Sequence, residues 1–177
     1  MPRRKNDAYY TPEWATDELL RNVRIDPNSS ILEPCSGEGN ISSVLLQQFL
    51  RVSTNDIDES VNAGYHVDYL SAPEGWFPKY DWVITNPPFS KAFEFLKKAM
   101  PETKVGVALL LRLSFLEPTY DRGDYLSLFP PNYVIVLPRI SFTGNGKTDS
   151  VTTAWMVWKH WDTEHRIIVV PKENKHV

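Results

Sequence analysis

One cysteine, Cys35, stands in 177 residues. That scarcity excludes an internal disulfide framework and suits a reducing, cytoplasmic setting. Histidine is almost as sparse, and His66, His160, His165 and His176 never fall at metal-ligand spacing, so no metal centre is expected. No nucleophile-elbow pattern suggests a Ser/His/Asp arrangement. The longest near-apolar run, residues 105–111, is far too short to span a bilayer. The opening Met1-Pro2-Arg3-Arg4-Lys5 is basic but lacks the apolar stretch of a secretory signal. A net charge of −3 argues against whole-surface affinity for nucleic acid and leaves room only for local basic patches. Internal repeats and low-complexity segments are missing as well. With 42% hydrophobic and 23% charged residues, the expectation is one soluble domain over residues 1–177.

The most informative stretch is Asp81-Trp82-Val83-Ile84-Thr85-Asn86-Pro87-Pro88-Phe89. It reads as a buried strand that stops at two prolines. Each proline fixes its own φ and removes an N–H, and residues before proline avoid the helical region. The turn is therefore stiff, and it offers the Asn86 side chain and backbone carbonyls as acceptors beside the Phe89 ring. Such a corner suits a planar amino group: two acceptors take its two hydrogens and a ring stacks on its plane. The plainer alternative is a tight strand–helix turn with a local Asx bond at Asn86.

In chain order, Thr11 is a candidate N-cap, with Pro12 at the first helical position of a segment continuing through Ala15, Leu19 and Leu20. Tyr10, Pro12 and Trp14 either line a pocket or seal an edge of the core. Ser30-Ile31-Leu32-Glu33-Pro34-Cys35 reads as a strand entering Ser36-Gly37-Glu38-Gly39-Asn40, followed by apolar residues at helical spacing. Strand, glycine turn and helix open an α/β nucleotide site. Ser42 stands where the dinucleotide fingerprint has its third glycine, which speaks against a dehydrogenase. A strand over residues 52–57 carries Asp56 about 20 residues after the first glycine, where a carboxylate meets ribose hydroxyls. Asp58 competes for that role. Residues 67–70 signal a third short strand with Asp68, either an adenine contact or a solvated turn residue. Residues 91–100 read as an amphipathic helix ending at Pro101. The run 105–111 suits a strand covered on both faces, while 112–131 and 139–150 look like insertions or loops. Strands follow at 133–137, 152–159 and 166–170. The fold expected is α/β, a Rossmann-like doubly wound sheet of about seven strands, mostly parallel with an antiparallel C-terminal strand.

Taken together, the aromatic-Thr-Pro entry, the Glu33–Gly39 loop, Asp56, Asp68 and Asn86-Pro87-Pro88-Phe89 resemble class I S-adenosylmethionine-dependent methyltransferases. The resemblance is specifically to the adenine-N6 DNA methyltransferases. It implies catalysis at Asn86, Pro87, Pro88 and Phe89, with S-adenosylmethionine held by Tyr10, Thr11, Pro12, Glu33, Cys35, Gly37, Gly39, Asp56, Ile57 and Asp68. It also implies that Phe142 helps hold a flipped base. Asn86 Oδ1 and the Pro87 carbonyl would accept both hydrogens of the adenine amine and favour a pyramidal, nucleophilic nitrogen. Arg122, Arg139 and Lys147 are the candidate nucleic-acid contacts. With no separate target-recognition domain expected, target reading falls to those loops, a homodimer or a partner subunit. Competing readings are an RNA adenine-N6 or protein-glutamine methyltransferase, and a catalytically silent cofactor- or partner-binding module.

Overall fold

The structure is a computed structural model describing residues 10–140 and 151–172. In chain order it contains α1 (Glu13–Asn22), β1 (Ser30–Glu33), α2 (Asn40–Leu45), β2 (Arg51–Thr54) and β3 (Tyr80–Thr85). A 3-10 turn (Phe89–Lys91), α3 (Ala92–Glu102) and β4 (Thr103–Arg112) follow. A second 3-10 turn (Leu113–Leu116), α4 (Tyr120–Leu128), β5 (Tyr133–Val136), β6 (Thr153–Lys159) and β7 (Arg166–Val169) complete the order. The strands form one sheet in the order β2-β1-β3-β4-β6-β5-β7. Every pairing is parallel except those of β6, which runs antiparallel to both β4 and β5. The doubly wound, mostly parallel sheet expected from the sequence is what forms.

Two apolar layers cover the sheet. Strand alternation sends Trp82, Ile84, Ala108, Leu110, Trp155 and Val157 to one face, against Ala15 and Leu19 of α1 and Ile41 and Leu45 of α2. Val83, Val107, Leu109, Leu111, Met156 and Trp158 go to the other face, against Phe95 and Leu96 of α3. Being covered on both sides is why β4 is continuously apolar. The indole N–H of buried Trp155 donates to the Ala15 carbonyl at 2.6 Å, pinning α1 to the sheet. Gly106 has a packing role: a Cβ there would meet the Trp158 carbonyl at 2.3 Å. No helix among the described residues is long and apolar enough to cross a membrane.

Several local expectations are corrected. Pro12, in extended conformation, holds the N-cap position of α1, and no side chain caps that helix; Thr11 is engaged elsewhere. β2 ends at Thr54, so Asp56 and Ile57 lie beyond it. Residues 67–70 are not a strand. Buried Asn55 takes the place of strand pairing there: its Nδ2 donates to the Pro34 and Val67 carbonyls at 3.0 and 2.9 Å, and its Oδ1 accepts the Val67 N–H at 3.0 Å. α3 continues through Pro101 to Glu102. Proline at the last turn forfeits one hydrogen bond, and a Lys98–Glu102 bridge at 2.9 Å spans it. The insertion-like stretch 112–131 contains α4, anchored where Tyr125 meets the ring of Phe93 edge-on.

Candidate active site

β3 lies between β1 and β4 and delivers Asn86 at the sheet edge where parallel strands end. Pro87 is buried beneath the corner, and the Pro88 carbonyl accepts the Lys91 N–H at 2.9 Å, closing the 3-10 turn that begins at Phe89. Asn86 makes a bond of long range instead of a local Asx bond: its Nδ2 donates to Thr11 Oγ1 at 3.1 Å, across 75 residues. Its Oδ1 is buried with no hydrogen-bond partner. Leaving a buried acceptor empty costs on the order of 1–3 kcal/mol, and an incoming donor recovers it.

The second half of the site is the glycine turn. Gly37 and Gly39 adopt φ of +51° and +82°, a region L-residues rarely enter, and Gly39 leads directly into α2. Asp56 ties this turn to the end of β2: one carboxylate oxygen accepts the Gly37 N–H at 2.8 Å and the other the Asp58 N–H at 2.9 Å. Each oxygen keeps acceptor capacity for a further donor. Glu33, at the end of β1, is almost fully buried. Burial pushes its carboxyl well above the ordinary range, against the opposing effect of hydrogen bonds from Ser42. One of its oxygens, Oε2, has no partner. Cys35 is likewise pushed up, first by burial and then by the charges of Asp56 and Glu33; it is a protonated thiol, not a nucleophile.

A cavity of about 770 Å³ joins the two halves, and Tyr10, Thr11, Glu33, Cys35, Gly37, Asp56, Ile57, Asp68, Asn86 and Pro88 all line it. Ile57 is 57% exposed and offers the cavity an apolar wall. Asp68 shapes its own turn by accepting the Leu70 N–H at 3.1 Å. Pro12, Gly39, Pro87 and Phe89 are not among the residues that line the cavity. The Phe89 ring carries the Arg112 guanidinium 4.7 Å from its centroid. Arg122 lies over the Phe115 ring, 5.1 Å from its centroid, and donates to the Glu117 carbonyl at 3.1 Å; it does not line the cavity. Arg139 is exposed at the end of a described stretch, and Phe142 and Lys147 lie outside the described residues. Sequence reasoning missed Asn55, Ser60, Val61 and Lys91. The last three line the cavity without any motif to mark them. Among the described residues, no group of three metal-ligating side chains gathers.

No protein-family model and no curated protein matches the sequence. Solved structures do. A type I restriction-modification methyltransferase subunit from Streptococcus thermophilus aligns with a TM-score of 0.69 and 16% identity, over 92% of this chain and 47% of that one. A dimethyladenosine transferase from Plasmodium falciparum gives 0.62 and 19% identity, over 85% and 62%. The 23S rRNA methyltransferase ErmE gives 0.61 and 16% identity, over 89% and 70%. The chain spans about half the length of the restriction-modification subunits it matches. At these identities the likeness establishes the fold, that of Rossmann-like methyltransferases.

Proposed function

We propose that the chain is an S-adenosylmethionine-dependent adenine-N6 methyltransferase acting on nucleic acid, with the Asn-Pro-Pro-Phe corner favouring a nucleobase over a glutamine amide and the resemblance to adenine-N6 DNA methyltransferases favouring DNA. The observation that carries this reading is the buried Oδ1 of Asn86, which has no hydrogen-bond partner, on a residue that lines a cavity furnished for a nucleoside. The residues present fit the cofactor. Asp56 is a fixed carboxylate for a vicinal diol, Ile57 an apolar wall for a base, and Asp68 an acceptor for an exocyclic amine. The unpartnered Glu33 Oε2 is an acceptor open to an amino group. When bound, S-adenosylmethionine supplies an electrophilic methyl group.

The protein's part is positioning. Asn86 Oδ1 accepts one hydrogen of the adenine N6, and the Pro87 carbonyl takes the other. Both bonds draw the nitrogen lone pair out of conjugation and aim it into the cavity. The nitrogen would take the methyl group as its bond to the sulfonium sulfur breaks, leaving a neutral thioether, and would shed one proton to water through one of these two acceptor contacts. Reaching the corner requires a base out of its stack. Arg112 on the Phe89 ring supplies a cation at the corner, in keeping with a substrate that carries phosphate. Target reading is assigned to Arg112, Arg122, Arg139, Lys147 and a partner chain.

Radiolabelled methyl transfer to duplex DNA, single-stranded DNA, RNA and a glutamine peptide tests the reading. N6-methyladenine in DNA, lost in Asn86→Ala, is the expected result. Label only in RNA or peptide would move the substrate. Cofactor binding without transfer to any of them would mark a silent module.

A further inference from the structure

We propose that Thr11 is a positioning residue for Asn86, holding one end of its amide so that the other faces the substrate amine; this rests on the adenine-amine reading of the corner. Thr11 is 2% exposed, and α1 makes no use of its hydroxyl, because Pro12 holds the N-cap and no side-chain cap bond forms. The hydroxyl instead meets Asn86 Nδ2 at 3.1 Å, and the opposite end of the same amide is the empty Oδ1.

The terminal torsion of asparagine is broad and roughly two-fold, so the backbone of the corner does not orient the amide by itself. Turned over, it would present two N–H donors to an amine that also donates. A threonine hydroxyl can bond either end of an amide. Its contribution is therefore to tether one end, leaving the other to be chosen by the arriving donor, and an amine chooses the oxygen. Tyr10 and Thr11 both line the cavity, so the segment that bounds the cofactor space also sets the acceptor.

Thr11→Val keeps the shape and removes the tether, whereas Thr11→Ser restores a hydroxyl. Turnover at saturating cofactor should fall about tenfold to a hundredfold in Thr11→Val, the scale of a misplaced reacting group. Thr11→Ser should return it to within about threefold, with the cofactor dissociation constant also within about threefold in both variants. A weakened cofactor affinity with unchanged turnover would overturn the proposal and make Thr11 a cofactor contact. Wild-type turnover in Thr11→Val, with Asn86→Ala inactive, would overturn it while leaving the proposed activity standing.

A readout free of substrate separates the two claims. The side-chain amide pair of Asn86, identified in a ¹⁵N spectrum by its loss in Asn86→Asp, should exchange slowly in wild type and in Thr11→Ser. It should exchange fast in Thr11→Val. Equal protection in all three overturns the tether whatever the enzyme methylates. Loss confined to Thr11→Val supports it even if the substrate proves not to be adenine.

Discussion

Two asparagines beside paired prolines sit at opposite ends of the sheet's parallel strands, and they are used in opposite ways. Asn132 follows Pro130-Pro131 at the start of β5, and Asn86 precedes Pro87-Pro88 at the end of β3. Asn132 is bonded at both ends of its amide: Nδ2 donates to the Asp162 and Glu164 carbonyls at 3.0 Å each, and Oδ1 accepts the Lys159 N–H at 2.7 Å. It joins β5 to the end of β6 and the approach to β7. Asn86 closes one valence on Thr11 and leaves its oxygen buried and empty. A structural amide satisfies itself within the fold, whereas an amide kept for a ligand retains an unmet bond, at a cost to the free protein.

The sharpest way to break this contrast is to delete both amides. Asn86→Ala should lower methyl transfer about 10³-fold, the scale of a lost acceptor or donor in a preorganised site, with little change in melting temperature. Asn132→Ala should do the reverse. Each backbone group it leaves unpaired costs roughly 1–3 kcal/mol, seen as a lower denaturant midpoint, while turnover per folded molecule stays unchanged. If the two variants destabilise equally in chemical denaturation, the distinction between them fails.

A smaller effect tests the other half of the cavity. Asp56→Ala should weaken S-adenosylmethionine about tenfold by calorimetry, since a carboxylate on a diol leaves its hydroxyls unpaired when removed. Unchanged affinity would move the ribose role to Asp58.

The smallest effect concerns Glu33, the carboxyl counterpart of the open Asn86 valence. Its folded pKa lies above the ordinary carboxylate value. The stability gained by keeping it neutral is therefore complete below that ordinary value and is lost as pH rises through the folded pKa. Glu33→Gln should then melt higher than wild type, by a margin that widens from acid towards neutral pH. A pH-independent margin in thermal melts would show that Glu33 is not held neutral by burial.

Much of the architecture follows from local rules that the sequence obeys by itself. Alternation in β3 and β6, the apolar run of β4 and the glycine turn at Gly37 and Gly39 follow from periodicity and backbone sterics within a few residues. The stiffness of the Asn86 corner follows from two prolines. The tertiary structure decided which polar valences close and which stay open, because that depends on what arrives within about 3 Å from distant segments. Asn55 replaces a strand over 67–70, Thr11 abandons its helix for Asn86, and Arg122 bonds the Glu117 carbonyl. None of these bonds leaves a periodic trace, since a single side chain reaching across the fold has no repeat to read.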